Sequence, residues 1–454
     1  MLKALRITGK PMFSGRDLVR LIVPLVIEQF LAVLVGMADT VMVSGVNEFA
    51  TSAVSSVDTI NNLLINLFSA MGAGGAVVAA QYLGHHEQEN ACSAAKQLLV
   101  SSLAVSGGIA LVSIIANNFI IETCYGSLND TTKEMCKTYF FLSALSYPFL
   151  GIYNGGVGVL RSQGDSRSSM ISSTIMNLVN IGGNALLIGP LKMGVAGAGL
   201  ASLVSRALCA MIIFRILCKK TLKIHLVDPF KPEWDGRMIR RILSIGLPNG
   251  AENSLFQVGK VIIMVIITNL PAHLIAANAA VNSVSGFPNI PGSAVGLAAI
   301  AVIGQCVGAG DEEQAKAYGW RLLLIMYAAV LPLNIIIFTF APFFLGLFGL
   351  ERTPGAYEAA LQVQRLYCLF SVFFWVPSFG LPNILRAAGD AKYTMTVSIV
   401  SMLALRVGLS FVMVYVFNLG LLGVWLSMHA DWIARDIFFL WRFISKKWLR
   451  HRVI

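Results

Sequence analysis

The sequence predicts an all-α polytopic membrane protein, with twelve transmembrane helices in two six-helix lobes related by a parallel pseudo-two-fold repeat. Three observations predict it. Of 454 residues, 56% are hydrophobic and only 13% charged, with a mean hydropathy of +0.73, too little charge to cover a soluble domain of this size. The apolar runs are roughly 20–28 residues long, enough for a helix to cross about 30 Å of hydrocarbon. The chain also repeats itself. At an offset of 224, Pro24 and Glu28 meet Pro248 and Glu252, and Ala80-Gln81-Tyr82-Leu83-Gly84 meets Gly304-Gln305-Cys306-Val307-Gly308. One residue further out of step, Leu160-Arg161-Ser162-Gln163-Gly164-Asp165 meets Leu385-Arg386-Ala387-Ala388-Gly389-Asp390.

In chain order the spans are residues 18–44, 52–81, 94–116, 136–159, 168–189, 194–218, 240–268, 276–305, 318–346, 361–384, 393–416 and 421–446. Lipid offers backbone groups no partner, so each run is a helix, and Gly or Pro inside it marks a kink or a close packing. With the N-terminus in the cytoplasm, the inside segments together with the adjoining span ends collect about 25 Lys and Arg and the outside loops, counted the same way, about four, the positive-inside pattern. Residues 1–17 form a basic cytoplasmic lead-in without the short apolar core and cleavage site of a signal peptide. Residues 18–218 make the first six-helix lobe and 240–446 the second. Between them, 219–239 is a cytoplasmic linker with Lys219, Lys220, Lys223, Lys231, Arg237, Pro229 and Pro232. Residues 447–454 are a basic cytoplasmic tail. Six spans per half is an even number, so the halves enter the membrane in the same direction and the repeat is parallel.

The net charge of +11 is spread between apolar runs and does not read as nucleic-acid binding. Seven cysteines make no metal spacing and no disulfide framework. Cys124 and Cys136 share one predicted outside loop, where a bridge is an open alternative. No Gly-x-x-x-x-Gly-Lys-Ser/Thr loop, His-Glu-x-x-His or nucleophile elbow occurs. An enzyme, ATP hydrolysis and a resident cofactor are therefore not expected.

The informative residues are polar ones inside apolar runs, because a carboxylate in the bilayer costs at least roughly 2.5 kcal/mol. Asp39, toward the outer end of span 1, has no Lys or Arg within a helical turn or two in sequence. It is a candidate to bind and release H⁺ or Na⁺, with an idle interfacial Asp as the alternative; no other metal is expected. Glu28 lies about three turns earlier on the same face, either lining a polar space or paired with a basic residue. Glu252 is its repeat partner in span 7, and Lys260 follows eight residues later on the same face, the two facing a shared polar space. In span 5, Asn177, Asn180 and Asn184 form one stripe, and Ser202 follows in span 6; amide and hydroxyl oxygens beside a carboxylate suit Na⁺ or a proton network, or serve interhelical hydrogen bonds. Asp58 and its repeat partner Asn282 are a weaker pair. His429, Asp431, Arg435 and Asp436 are expected to satisfy one another. Met37, Met71, Phe256 and Phe287 are candidates for a Met- and Phe-lined cavity suited to varied apolar cations, and equally for packing. Pro24 and Gly36 are candidate bending points of span 1.

Taken in order, the motifs resemble the multidrug and toxic compound extrusion (MATE) transporters, prokaryotic branch, over nearly the whole chain. The resemblance rests on Met37-Ala38-Asp39-Thr40, Leu160 through Asp165, Gly194-Val195-Ala196-Gly197-Ala198-Gly199, Gly246-Leu247-Pro248 through Glu252, Gly304-Gln305 through Gly308-Ala309-Gly310-Asp311, and Arg386 through Asp390. It implies secondary active export of organic cations and amphipathic compounds across the cell membrane, coupled to inward H⁺ or Na⁺. Asp39 would be the coupling residue, with Asn180 and Ser202 as partners. Asn184 departs from the pattern, because many relatives carry Asp there, and the site then has one negative charge fewer. Glu252 resembles a span-7 glutamate used by other branches. The implied partners are small molecules and the bilayer, with a monomer expected. A lipid-linked oligosaccharide flippase of a related superfamily branch is the alternative; it predicts a more cationic cavity, toward which Arg206, Lys260 and Arg406 point.

Overall fold

The computed structural model describes residues 10–454, apart from Asn47, Phe230, Pro232, Glu351, Arg352 and Arg452 and the side chains of Met37, Thr40, Val41 and Ser44. The Met37 side chain, a cavity candidate, thus lies outside the described residues. Among the described residues there are helices and no strands.

Each predicted span is a helix: α1 (Gly15–Ser44), α2 (Glu48–Gly84), α3 (Gln88–Ile115), α4 (Asp130–Ser162), α5 (Ser166–Ile188), α6 (Gly194–Leu217), α7 (Gly236–Thr268), α8 (Ala272–Gly308), α9 (Glu312–Thr339), α10 (Ala356–Ala387), α11 (Ala391–Val416) and α12 (Gly420–Ile444). Ten are apolar enough by composition to be membrane spans. The others, α4 and α12, are as long but carry more polar side chains. The ninth departs most from expectation. It stops at Thr339, and a short helix, Ala341–Gly346, restarts with proline in its first turn, where the missing N–H costs nothing. Helix starts are fixed by side-chain caps: Asn129 accepts from Thr132 N at 2.7 Å, Asp165 from Ser168 N at 3.1 Å and Asp311 from Gln314 N at 2.9 Å, replacing bonds the first turn lacks.

The twelve helices make two six-helix lobes. By contact the chain divides into two compact units, Gly15–Gly250 and residues 10–14 with Ala251–Val453, so the division falls inside α7. In the first unit α4 is central, packed on α2, α3 and α6. Its approach to α2 depends on glycine: a Cβ at Gly158 would lie 2.5 Å from the Gly72 carbonyl oxygen, and one at Gly72 would lie 2.6 Å from that of Asn154. Without a hydrophobic driving force between helices in lipid, such backbone proximity is what holds them. Segment 219–239 is tied down here: Gln163 brackets Ile224 (3.0 and 3.3 Å), Gln97 Nε2 donates to Glu233 O (2.9 Å), and Lys96 Nζ pairs with Glu233 (3.1 Å). In the second unit, residues 10–14 dock on the start of α9. Met12 N donates to Gln314 Oε1 (3.0 Å), Phe13 N donates to the Tyr318 hydroxyl (2.9 Å), and that hydroxyl donates to Phe13 O (2.6 Å).

Left-handed residues mark the same turns in both lobes. His86 pairs with Gly310 at an offset of 224, Gly164 with Gly389 at 225, and Lys192 and Gly194 with Asn418 and Gly420 at 226. Each step in offset coincides with π-helical backbone in the second lobe. Between the first and second, α10 contains a π-helical turn, Ser371–Trp375; between the second and third, α11 contains π segments, Met402–Gly408 and Val412–Val416. A π turn closes i→i+5 and so admits an extra residue without ending the helix.

Candidate functional site

In the first lobe α1, α5 and α6 bring together all four residues expected around the ion. Asn184 Nδ2 donates to Asp39 Oδ1 at 2.8 Å. Asn180, with its oxygen accepting from the Ser202 hydroxyl at 3.2 Å, donates to both Asp39 oxygens at 3.1 Å; the opposite orientation would set amide oxygen against carboxylate. Asn180 and Asn184 lie one turn apart on α5, and this places both on one carboxylate. Asn177 does not join them; its Nδ2 is buried without a partner. The buried Oδ1 of Asn184 has none either. Hard cations take oxygen ligands, so an amide turn would offer this oxygen to an ion on Asp39.

A second carboxylate stands behind the first. Asp58 on α2 accepts from the Tyr139 hydroxyl and from Asn61, both at 3.2 Å. Asn61 continues to Ser143 (3.2 Å) and accepts from Tyr147 (2.8 Å). Arg206 on α6 donates to Ser146 at 2.6 Å, and Asp58 and Arg206 lie within electrostatic reach of Asp39. Nothing local in the sequence marks Tyr139 or Asn61 as neighbours of this centre. Arg206 does carry a signal, because it lies one turn beyond Ser202 on the same face of α6. Among the described residues, no three His, Cys, Asp or Glu side chains converge as metal ligands.

The two glutamates turn out to be ion-paired. Glu28, 5% exposed, holds Arg161 Nη2 at 2.8 Å and accepts from Ser169 Oγ at 3.0 Å. Glu252, also 5% exposed, holds Arg386 Nη2 at 2.7 Å, and Arg386 continues to Asn383 (3.2 Å) and Thr394 (3.3 Å). Glu252 borders a small void with Phe256 and Met402, whereas Lys260 lines a separate cavity. The cluster on α12 is not self-satisfied as expected. Both oxygens of Asp431, both ring nitrogens of His429, and Nε and Nη1 of Arg435 are buried without hydrogen-bond partners. The hydrogen bonds of the cluster go to Ser378: Asp436 accepts from its hydroxyl at 2.6 Å and Arg435 Nη2 donates to its carbonyl oxygen at 3.1 Å, while Asp431 has an ion contact with Arg406 at 3.9 Å. His429 instead stacks on Phe370 at 4.4 Å.

Of the remaining candidates, Met71 is buried against Gly246. Phe287 is 39% exposed and opens the 3₁₀ turn inside α8. Pro24 lies inside α1, and a Cβ at Gly36 would meet nothing within 4 Å. Cys124 and Cys136 are free thiols.

An internally duplicated helical membrane protein that keeps carboxylates and cations inside its spans is of the transporter class. The MatE family model matches residues 24–186 and 248–412, and the chain belongs to that family, the MATE transporters. It is 26% identical to the "Probable multidrug resistance protein NorM" of Thermotoga maritima, over 97% of this chain and 94% of the relative. It is 25% identical to the "Uncharacterized transporter YisQ" of Bacillus subtilis, over 97% and 96%. Among solved structures, a MATE protein in complex with MaL6 matches with a TM-score of 0.89 at 21% identity, covering 99% of both chains. An outward-facing multidrug resistance MATE family transporter of the MOP superfamily matches at 0.88 and 21%, covering 96% of both.

Proposed function

We propose that this MATE transporter is a secondary active multidrug exporter. It moves organic cations and amphipathic compounds out of the cell by alternating access, coupled to inward H⁺ or Na⁺. The observation that carries the reading is the Asp39 node: a membrane carboxylate held by Asn184 at 2.8 Å and Asn180 at 3.1 Å rather than by a direct salt bridge. Such a group exchanges amide donors for a cation more readily than it would give up an Arg. The name of the Thermotoga maritima relative supports the substrate class.

In the outward-facing state Asp39 takes a cation. Its amides turn, α1 rearrangement at Pro24 and Gly36 lowers drug affinity, and the drug leaves. Inward reorientation releases the ion and reloads substrate. Coupling is a difference in binding free energy between states, and no step uses ATP. The protein acts as a monomer in the cell membrane, both termini cytoplasmic.

The test is efflux of a fluorescent cation from proteoliposomes under separately imposed H⁺ and Na⁺ gradients. Asp39→Asn is expected to remove gradient-driven flux while leaving the protein monodisperse, and the gradient that drives the wild type identifies the ion. Undiminished coupled flux in folded Asp39→Asn protein overturns the proposal. The flippase reading is favoured only by Lys260 and Arg406 on one cavity wall; flux of lipid-linked sugar without flux of any organic cation would select it.

A further inference from the structure

The second lobe contains a cavity of about 260 Å³ whose lining includes Lys260, Arg406, Asn278, Asn282, Trp425 and Met428. No acid is in that lining. Lys260 Nζ lies 5.3 Å and the Arg406 guanidinium carbon 5.1 Å from the centroid of the Phe256 ring, so two like charges share one ring. Asp431 approaches Arg406 Nη1 only to 3.9 Å. A guanidinium has five donors, and one long contact to one of them leaves most free. The Trp425 indole N–H donates to Asn278 Oδ1 at 3.2 Å; because indole only donates, this fixes the amide and leaves its NH₂ as the group available to a ligand. Asn282 spends its own NH₂ on Asn278 O at 2.9 Å. The polar wall is therefore two cations, one amide donor and the side-chain oxygen of Asn282, and the rest is Met, Ile, Val and Trp.

The repeat sharpens this. At the offset of 224 shared by Glu28 and Glu252, Asp39 corresponds to Ile263, Gly36 to Lys260 and Asp58 to Asn282. All three second-lobe residues line the cavity. Where the first lobe has two carboxylates, the second has an isoleucine, an amide and an added lysine. Arg406 comes from the π segment of α11, the helix equivalent to the one that carries Asn180 and Asn184.

The geometry points to an oxyanion subsite. The second lobe binds the carboxylate or phosphate of an amphipathic ligand between Lys260 and Arg406, with the ligand's apolar body against Met428 and Trp425. Two cations and an NH₂ donor complement an oxyanion, a desolvated cation there would face two positive charges, and the apolar remainder demands a hydrophobic tail. This site is distinct from the ion node at Asp39, and it is tested by binding rather than by flux, so its failure and that of the export reading are separable.

The probe is terminally brominated undecanoate, which quenches tryptophan on contact, titrated into wild-type protein in phosphatidylcholine nanodiscs. Trp425→Phe supplies the blank. Saturable quenching of Trp425 is expected, with affinity at least about tenfold weaker in Lys260→Gln and within about threefold in Lys260→Arg, given the usual strength of charged hydrogen bonds. The methyl ester and a brominated alkyltrimethylammonium of the same length, used on the wild type, need no variant; both are expected to bind at least about tenfold more weakly. Equal affinity for the acid, ester and ammonium, or unchanged affinity in folded Lys260→Gln, overturns the proposal. Nanodiscs containing phosphatidylglycerol distinguish the source. Competition by that lipid makes the occupant a lipid phosphate, and its failure to compete makes it a soluble amphipathic acid; both keep the oxyanion site.

Discussion

Glu28 and Glu252 stand at equivalent positions in the two lobes and make the same bond, to Arg161 at 2.8 Å and to Arg386 at 2.7 Å. Asp39 and Ile263 stand equally equivalent, three turns further along the same helices, and share nothing. Duplication has preserved one level of each lobe and let the other diverge. The preserved level joins a helix-one carboxylate to the arginine of the Leu-Arg-x-x-Gly-Asp turn, and this holds the six-helix unit together whatever the lobe carries. The divergent level carries an acidic node in the first lobe and a cationic cavity in the second. Even the caps diverge: Asp165 caps α5, whereas Asp390 instead holds Arg442 at 2.7 Å.

The largest structural effect should come from breaking the preserved level. Removing one partner of a buried pair leaves an uncompensated charge, at about 3–5 kcal/mol. Glu28→Ala and Glu252→Ala are therefore each expected to lower the detergent-solubilised unfolding midpoint sharply, and by similar amounts. The paired changes Glu28→Gln with Arg161→Gln, and Glu252→Gln with Arg386→Gln, should recover most of the loss, since neither leaves a lone charge. A Glu252→Ala protein as stable as wild type, but dead in transport, would move Glu252 from the scaffold to the mechanism and break the comparison.

A smaller effect is expected at the α2–α4 contact of the first lobe. A Cβ at Gly158 would lie 2.5 Å from the Gly72 carbonyl oxygen, a backbone atom that cannot rotate away. Gly158→Ala should cost about 1–3 kcal/mol, as overpacking does, and lower the midpoint accordingly. An unchanged midpoint would mean that α2 and α4 slide apart without penalty, and that the close approach is not what secures this lobe.

Much of this was legible in the sequence. The spans follow from apolar runs alone, because lipid leaves the backbone no option but helix. Of the Asp39 node, the pair Asn180 and Asn184 was legible as one turn of α5, whereas Ser202, on the next helix, was joined to them by the family resemblance and not by spacing. The partners of Glu28 and Glu252 were visible as motif residues, Arg161 and Arg386, yet they lie 133 and 134 positions away, a separation no local pattern bridges. The π turns were present only as a one-residue slip in the repeat, which reads as a loop change until hydrogen bonds are seen. In the α12 cluster, opposite charges at helical spacing suggest a mutual pairing that the structure does not form. The helix turns Arg435 onto Phe379, 4.9 Å from its ring centroid, and leaves Asp431 fully buried without a hydrogen bond.

The smallest expected effect bears on the difference at Gly36, whose second-lobe counterpart is Lys260. A Cβ at Gly36 would meet nothing within 4 Å, so packing does not demand glycine there. In a helix interior alanine is favoured over glycine by up to about 1 kcal/mol. If Gly36 is only a remnant of divergence, Gly36→Ala should stabilise slightly and leave efflux unchanged. If α1 bends there, the same substitution stiffens the helix three residues before Asp39, and coupled flux should fall while the unfolding midpoint stays level or rises. The bending role in the proposed cycle requires the second result, and proteoliposome efflux of Gly36→Ala beside its unfolding curve separates the two.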